Sequence, residues 1–249
     1  ADGSERWRAI ADVDVTSAPT VAGGSVYVGG SLHSGEVVAI DAVEGEEQWR
    51  FEAGRYATTP AVHAGVVYAG GGESPVVYAL DARDGSELWR TEVDDRVRGA
   101  PTLVEDTVYV GSRSGHVYAL APDDGHERWS VPVGDDVRAS VAATDDGVFV
   151  ASEGTIASLD LDGDERWSVE TTGYAFAPTV VDDAVVLADT TAAVCLDAGG
   201  GSERWRREVR GRQIADMVFV GIRSPPVVAD GVAYVASHGG DVYALSDGS

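Results

Sequence analysis

Six tryptophans recur at nearly constant intervals, and this regularity constrains the fold more than any other feature of the 249-residue chain. They lie 38 to 42 residues apart, and each follows a glycine by four residues. Upstream of the glycine, the repeat has a short apolar run ending in a small residue, then Leu or Ile and usually Asp. A period near 40 residues with several short β-rich runs per unit is typical of a β-propeller. The tryptophans are Trp7, Trp49, Trp89, Trp129, Trp167 and Trp205.

Each repeat contains the material for four strands and none for a helix. Runs such as APTLVEDTVYVGS and VVYAL are rich in Val and Tyr and are bounded by Gly, Asp and Ser. Asp146-Gly147 and Asp230-Gly231 are hairpin-turn dipeptides. We therefore predict an all-β fold of four-stranded blades, in which the first strands of six blades begin near Ala18, Thr59, Ala100, Ser140, Ala177 and Pro225.

The two ends of the chain complement one another. The last repeat, 225–249, ends before its tryptophan, and the chain opens with ADGSERW, which is the missing piece. We predict that residues 1–10 supply the outer strand of the last blade and close a six-bladed ring, so that 1–249 form one domain. Closure removes exposed sheet edges. The alternative is a piece of a longer ring, because Asp-Gly-Ser occurs at both ends.

The tryptophans are predicted to dock neighbouring blades, each lying flat against a small residue and a glycine. A buried Trp covers roughly 150–250 Å². Cys195 occupies the small-residue position that Ala39 and Ala79 fill in other repeats, so we interpret it as a packing residue. A single cysteine also excludes an internal disulfide.

The charge excludes several kinds of partner. The chain has 42 Asp and Glu residues against 18 basic residues, all of them Arg, and a net charge of −24. Such a charge repels nucleic acid and anionic membrane surfaces. Acidic residues spread along the whole chain, together with the absence of Lys, are typical of proteins from extreme halophiles, in which multimolar salt screens the repulsion between carboxylates. No apolar stretch is long enough for membrane insertion, and no signal peptide is visible. The oligomeric state stays open.

The pattern A-[LI]-D-x-x-x-G-x-x-x-W resembles the tryptophan-docking repeat of the PQQ-like β-propeller superfamily, and it covers essentially the whole chain. The superfamily includes quinoprotein alcohol dehydrogenases, sensor domains of membrane kinases and a non-enzymatic, BamB-like branch. Haloarchaeal genomes are similar in carrying many short proteins of this kind. The resemblance implies a propeller and favours an extracytoplasmic or cell-surface location.

The sequence departs from the enzymatic members of that superfamily. Those enzymes stack the quinone on a vicinal Cys-Cys disulfide and hold their metal with Glu, Asn and Asp, whereas this chain has one Cys and no Asn. We therefore expect a non-enzymatic binding or scaffold module with no catalytic residues and no cofactor. One alternative is a PQQ-dependent oxidoreductase, or a remnant that binds PQQ. Another is the sensor domain of a larger membrane receptor or kinase.

No metal site is predicted, although one acidic segment partly matches a calcium-binding loop. In DLDGDE, Asp160, Asp162 and Asp164 have the spacing that begins a calcium loop. Gly163 is at the wrong position, however, and the twelfth position is Thr171 instead of Glu. The segment is also a shortened copy of the ordinary repeat turn.

Arginine carries the remaining signal for a binding site. The loops that lead into the innermost strands lie at the channel mouth of a propeller, where binding residues concentrate. Arginine suits forked binding of carboxylate or phosphate, so these loops predict a site for a small anionic ligand or a protein segment. The alternative is that the arginines pair with neighbouring carboxylates such as Asp94, Asp95 and Asp136. The candidate residues in these loops are Arg98, Arg138, Arg223, Tyr56 and Tyr174.

One of these loops carries an insertion. Five repeats use 11 or 12 residues from the Trp to the next strand start, but Trp205 to Pro226 takes 21. The segment 206–224 holds five Arg against two acidic residues, with an apolar centre at Met217-Val218-Phe219-Val220. We predict a lid over the channel mouth that binds an anionic ligand or an acidic partner through Arg210 and Arg212. The alternative is a cover that pairs with nearby acids.

Overall fold

The computed structural model describes residues 3–9, 14–15, 17–31, 35–189, 191–209, 212–214, 217–219, 221–222, 224–237 and 240–246. Within these ranges all regular secondary structure is β-strand, and the strands form antiparallel sheets. The chain divides into two compact units. The first comprises Ala1–Ser114 with Tyr118–Arg128, and the second comprises Gly115–Val117 with Trp129–Ser249.

Two sheets lie wholly within the first unit. The first sheet has five strands and the second has four, paired in the order of the sequence apart from β1, which adds to β3. The first sheet consists of β1 (Asp14–Val15), β2 (Thr20–Ala22), β3 (Ser25–Ser31), β4 (Glu36–Asp41) and β5 (Glu47–Glu52). The second consists of β6 (Ala61–His63), β7 (Val66–Gly70), β8 (Val76–Asp81) and β9 (Glu87–Glu92).

The next three sheets repeat the same order, with one variation. In the fourth sheet the two central strands merge into one long strand, so that sheet has three strands. The third sheet consists of β10 (Thr102–Val104), β11 (Thr107–Gly111), β12 (His116–Leu120) and β13 (Glu127–Pro132). The fourth consists of β14 (Ala142–Thr144), β15 (Gly147–Leu159) and β16 (Glu165–Tyr174). The fifth consists of β17 (Thr179–Val181), β18 (Ala184–Ala188), β19 (Ala192–Asp197) and β20 (Glu203–Glu208).

The rest of the chain forms a hairpin and a sixth sheet. The hairpin lies in the inserted segment and pairs β21 (Arg212–Ile214) with β22 (Met217–Phe219). The sixth sheet has three strands, β23 (Val227–Ala229), β24 (Val232–Ala236) and β25 (Val242–Leu245). Residues 3–9 lie in no strand. Six blades and closure by residues 1–10 therefore stay predictions.

The sequence pattern places the strands well. Six strands begin two residues after the expected blade starts, because an extended segment precedes the first ladder hydrogen bond; they are β2, β6, β10, β14, β17 and β23. The turn to the second strand uses left-handed backbone, as at Asp230 (φ 50°) and Gly231 (φ 73°). Such a turn matches the twist of the strands it joins.

The tryptophan-bearing strands share one register. Trp49 lies opposite Ala39, and the pairing slips by one residue immediately afterwards, so that Glu47 faces Ile40. The same slip follows the pairs formed by Trp89, Trp167 and Trp205. A bulge at this point adds one residue to the outer strand and increases its local twist.

The central strands are buried on both faces. Val37 and Ala39 pack against residues of the second sheet, while Val38 and Ile40 pack with Trp7 and Ala9. A strand covered on both faces reads as a continuous apolar run instead of alternating. This explains runs such as VVAI and VVYAL.

Candidate functional site

Five tryptophans make the same pair of contacts, each with the turn of the following repeat. The indole N–H donates to a turn carbonyl at 2.8–3.0 Å. The ring lies on the repeat glycine, where an added Cβ would come within 2.5–2.9 Å of it. The pairs of tryptophan and acceptor are Trp7 with Ala42, Trp49 with Ala82, Trp89 with Pro122, Trp129 with Leu161, and Trp167 with Ala198.

Trp205 lacks this arrangement in the part of the chain that the structure describes. It packs partly buried against Cys195 and Leu245. The glycine that would complete the series is Gly3, and a Cβ added there would meet nothing within 4 Å. The sixth docking pair therefore stays a prediction.

The repeat aspartates stabilise the turns that carry the glycines. The Oδ1 atom of Asp41 accepts from the backbone N–H groups of Val43 and Glu44, each at 2.8 Å. Asp160, in the segment considered for calcium, accepts from the N–H groups of Asp162 and Asp164 at 3.0 and 2.9 Å. The carboxylate of Asp160 therefore serves the ordinary repeat turn. Within the described ranges, no cluster of three metal-ligating side chains occurs.

Two of the predicted binding residues, Tyr56 and Arg98, line one pocket in the first unit. Its volume is about 330 Å³, near the lower end of the usual range for small-molecule sites. The described residues that line it are Ser17, Tyr56, Ala57, Thr58, Thr59, Gly72 and Arg98.

Tyr56 reaches this pocket from a strained backbone. Its φ is +62°, a left-handed conformation that bulky side chains rarely adopt. The backbone of this loop contacts the loop that contains Gly72. Gly72 lies against the Tyr56 carbonyl, and the backbones of Arg55 and Gly72 form an isolated parallel β-bridge. Strained residues of this kind cluster at ligand-binding sites. The side chain is 39% exposed.

Arg98 shares its carboxylate partner with a second arginine. Glu73 binds both Arg98 and Arg96, the latter at 3.0 Å, so that two guanidinium groups face one carboxylate. Arg98 follows Val97, which is fully buried, and its own side chain is 43% exposed. The packed valine fixes the backbone while the guanidinium reaches solvent.

Arg138 holds the same repeat position as Arg98 and has both a carboxylate partner and an aromatic partner. Its Nε donates to Asp136 at 2.7 Å, and its guanidinium lies 4.3 Å from the centre of the Tyr174 ring and donates to the Tyr174 hydroxyl at 2.9 Å. The hydrogen bond to Asp136 raises the pKa of Arg138. A hydrogen bond to Glu153 raises the pKa of Tyr174. Two of the predicted residues of the second unit, Arg138 and Tyr174, thus bind each other.

The remaining candidates cannot be placed in a site. Arg210 and Arg223 lie outside the described residues, and Arg212 is known only as a residue of β21. The sequence predicted a loop for this insertion, and the structure shows that it contains a two-stranded hairpin. Its role as a lid stays a prediction.

The sequence did not single out Glu73, Ser17, Thr58 or Thr59. Short polar residues before a strand are common, so the hydroxyls carried no signal of their own. The run Gly70-Gly71-Gly72 before Glu73 was the available clue, because consecutive glycines mark a close backbone approach.

Among the residues that can be described, no helix could cross a membrane.

Repeated antiparallel sheets joined by docked tryptophans define a β-propeller protein with PQQ-like repeats. The family model described as outer membrane protein assembly factor BamB matches residues 1–77, 33–110 and 73–249, and the chain belongs to this family. No curated protein matches the chain in sequence.

Solved structures share the fold at low sequence identity. BamB from Moraxella catarrhalis is 21% identical with a TM-score of 0.73, over 95% of this chain and 78% of that one. The computationally designed Ika8 protein is 14% identical with a TM-score of 0.79, over 93% and 70%. The quinohemoprotein alcohol dehydrogenase ADHIIG from Pseudomonas putida HK5 is 17% identical with a TM-score of 0.70, over 94% of this chain but 52% of that one.

Proposed function

We propose that this protein is a non-enzymatic binding or scaffold module that recognises its ligand or partner through the loops entering the first strand of each sheet. The observation that carries the proposal is the pocket at Tyr56 and Arg98. A strained aromatic residue and a half-exposed arginine meet there on loops held by a rigid sheet scaffold. Membership of the BamB family supports a role in binding, and it favours an extracytoplasmic location.

The proposal includes one domain over 1–249, built as six blades and closed by residues 1–10. The contacts of Trp7 support closure by the N-terminal segment, because Trp7 docks on the turn at Ala42 and Gly45 in the same way as the later tryptophans dock on the turns of their following repeats. The sixth sheet has three strands in the described ranges, which leaves a place for a fourth.

A ligand-observed and protein-observed NMR screen tests the proposed site. Small acids, amides, sugars and short peptides are screened against the whole chain, with the amide signals of Thr58 and Gly72 as reporters. We expect hits to shift these signals and Tyr56→Ala to abolish the shifts. Hits that shift only signals elsewhere would contradict the site.

A PQQ-dependent oxidoreductase is the second candidate, favoured by the structural likeness to quinohemoprotein alcohol dehydrogenase ADHIIG and to a europium-containing methanol dehydrogenase. The residues of this chain do not fit the quinone platform that the resemblance implies. Cys195 is the single cysteine, and it is buried opposite Trp205 in a packing position. A disulfide platform cannot form around it.

An activity assay separates the two candidates. With PQQ, calcium and a redox dye added, we expect no oxidation of alcohols or aldose sugars above the rate without protein. Turnover that depends on the protein would overturn the non-enzymatic assignment.

A further inference from the structure

The pocket at Tyr56 and Arg98 has an unusual lining for so acidic a chain. Four of its described lining residues carry a hydroxyl group, one carries a guanidinium, and none carries a carboxylate. The chain as a whole has 42 Asp and Glu residues. A pocket without acidic lining in this background is suited to an anionic ligand.

Three of the lining hydroxyl groups accept a hydrogen bond from the backbone. Ser17 Oγ accepts from the Gly29 N–H at 2.7 Å, and Thr58 Oγ1 accepts from the Gly70 N–H at 2.8 Å. Thr59 Oγ1 accepts from the Ala18 N–H at 3.3 Å. A hydroxyl has one hydrogen to donate in addition to its acceptor sites. Each of these three hydroxyls therefore keeps its own hydrogen as a donor; Ser17 and Thr59 are half-buried, and Thr58 is buried.

The charge beside the pocket is positive. Arg96 and Arg98 share the single carboxylate of Glu73. Two guanidinium groups therefore share one carboxylate, and Arg98 can turn one edge of its guanidinium to a ligand while another edge binds Glu73.

We infer that this pocket binds the carboxylate group of a small organic acid, with Arg98 as the charged partner and the hydroxyls of Ser17, Thr58 and Thr59 as further donors. The inference rests on the proposed binding function and adds the chemical class of the ligand. The volume of about 330 Å³ limits the occupant to a small acid or to a single acidic side chain of a peptide.

Matched probes test the charge of the ligand. Glucuronate is compared with glucuronamide, and a blocked tripeptide Ala-Glu-Ala with its Gln counterpart, at equal ionic strength and with the Thr58 and Gly72 amide signals as readout. We expect an acid to bind about tenfold tighter than its amide, because one charge-assisted hydrogen bond accounts for at least that ratio. The pair that shows the preference identifies a free acid or a peptide side chain as the source.

Three variants test the residues. Arg98→Gln is expected to remove the preference for the acid, and Glu73→Gln to strengthen binding of the acid several-fold, because it removes the competing carboxylate. Arg90→Gln is the matched control and should leave binding unchanged, since Arg90 lies on β9 and binds Glu87 at 2.6 Å.

The outcomes separate this inference from the function on which it rests. Equal affinity for acid and amide at Thr58 and Gly72, or a preference that survives Arg98→Gln, overturns the carboxylate assignment and leaves the binding site standing. If no compound of any charge shifts these signals, both the inference and the proposed site are wrong.

Discussion

Each docking glycine of the repeat meets two demands that no other residue meets together. Gly85 has a φ of +71°, and a Cβ there would lie 2.5 Å from the Trp49 ring. The tryptophan in turn uses its N–H for the carbonyl of Ala82, at 3.0 Å. Because the ring, the hydrogen bond and the left-handed turn depend on one another, each repeat keeps both its tryptophan and the glycine that receives the tryptophan of the preceding repeat.

Substituting two glycines separates these demands. Gly65 has a φ of +82°, but a Cβ there would meet nothing within 4 Å. We expect Gly65→Ala to lose about 1 kcal/mol of unfolding free energy from the left-handed backbone alone. Gly85→Ala should lose a further ~1–3 kcal/mol from the clash with Trp49. Equal losses in urea unfolding would mean that the tryptophan contact does not require glycine.

The turn aspartates predict a dependence of stability on pH. A hydrogen bond from the Arg83 side chain lowers the pKa of Asp81 to about 2. Because the folded-state pKa lies below the unfolded value of about 3.9, the contribution is complete above that value and is lost as the pH falls through 2. We expect the difference in thermal midpoint between the native chain and Asp81→Asn to shrink from pH 5 to pH 2.

Removing the partner of Asp81 provides the control. Arg83→Gln takes away the main cause of the lowered pKa and leaves the turn backbone in place, so it should flatten the same part of the pH profile. A profile that Asp81→Asn leaves unchanged would show that this carboxylate contributes nothing to the acid dependence.

At the scale of elements, the bulge before each tryptophan sets the register of the outer strands. It places Trp opposite a small residue, which is Ala39, Ala79, Ser158 or Cys195 in the sheets where the pairing is described. In these four sheets the large ring is therefore paired with a small side chain. Cys195 fits because its volume is close to that of Ala and Ser.

The N-terminal segment can be tested as an element. Trp7→Ala removes the docking of the indole on Ala42 and Gly45 and should cost about 2–4 kcal/mol of unfolding free energy, since the ring is partly buried. If residues 1–10 also complete the last blade, deleting them should cost more and cause aggregation, because it exposes a sheet edge.

Comparing Trp7→Ala with the deletion of residues 1–10 tests whether the N-terminal segment closes the ring. Aggregation is measured by light scattering and stability by thermal unfolding, each on the same preparations. A deletion that behaves like Trp7→Ala in both measurements would mean that the segment docks its tryptophan without closing the ring.

At the scale of the whole molecule, the charge is the dominant property. A net charge of −24 on 249 residues strains the folded state through repulsion between like charges. Several ion pairs relieve it locally, as where Arg204 binds both Asp183 and Asp197 at 2.7 Å. The 18 arginines are too few to neutralise 42 acids, so a net negative charge remains for dissolved salt to screen.

We expect the thermal midpoint to rise steadily from low to multimolar KCl, because the Debye length falls to about 3 Å at 1 M. A variant with Asp123→Asn, Asp145→Asn and Asp146→Asn, all exposed turn positions, should show a shallower rise. A flat or falling curve for the native chain would remove the interpretation of its composition as adaptation to salt.

Much of the fold could be predicted from the sequence because each repeat contains its own short-range sequence patterns. Short apolar runs, turn dipeptides and the Gly-x-x-x-Trp spacing can each be recognised within one repeat, and their recurrence averages out local ambiguity. The six strand starts were therefore placed to within two residues. The hairpin β21–β22 was not predicted, because the insertion occurs in one repeat and no other repeat can be aligned with it.

The sequence by itself determined the strands of the repeats and the docking of five tryptophans, since these depend on contacts that the repeats make again. Only the tertiary structure decided which arginine faces a pocket. Arg98 and Arg138 hold the same repeat position, but one shares Glu73, 25 residues away, with Arg96, and the other lies against Tyr174, 36 residues away. Those partners differ from unit to unit and lie on separate loops, so no local pattern encodes them.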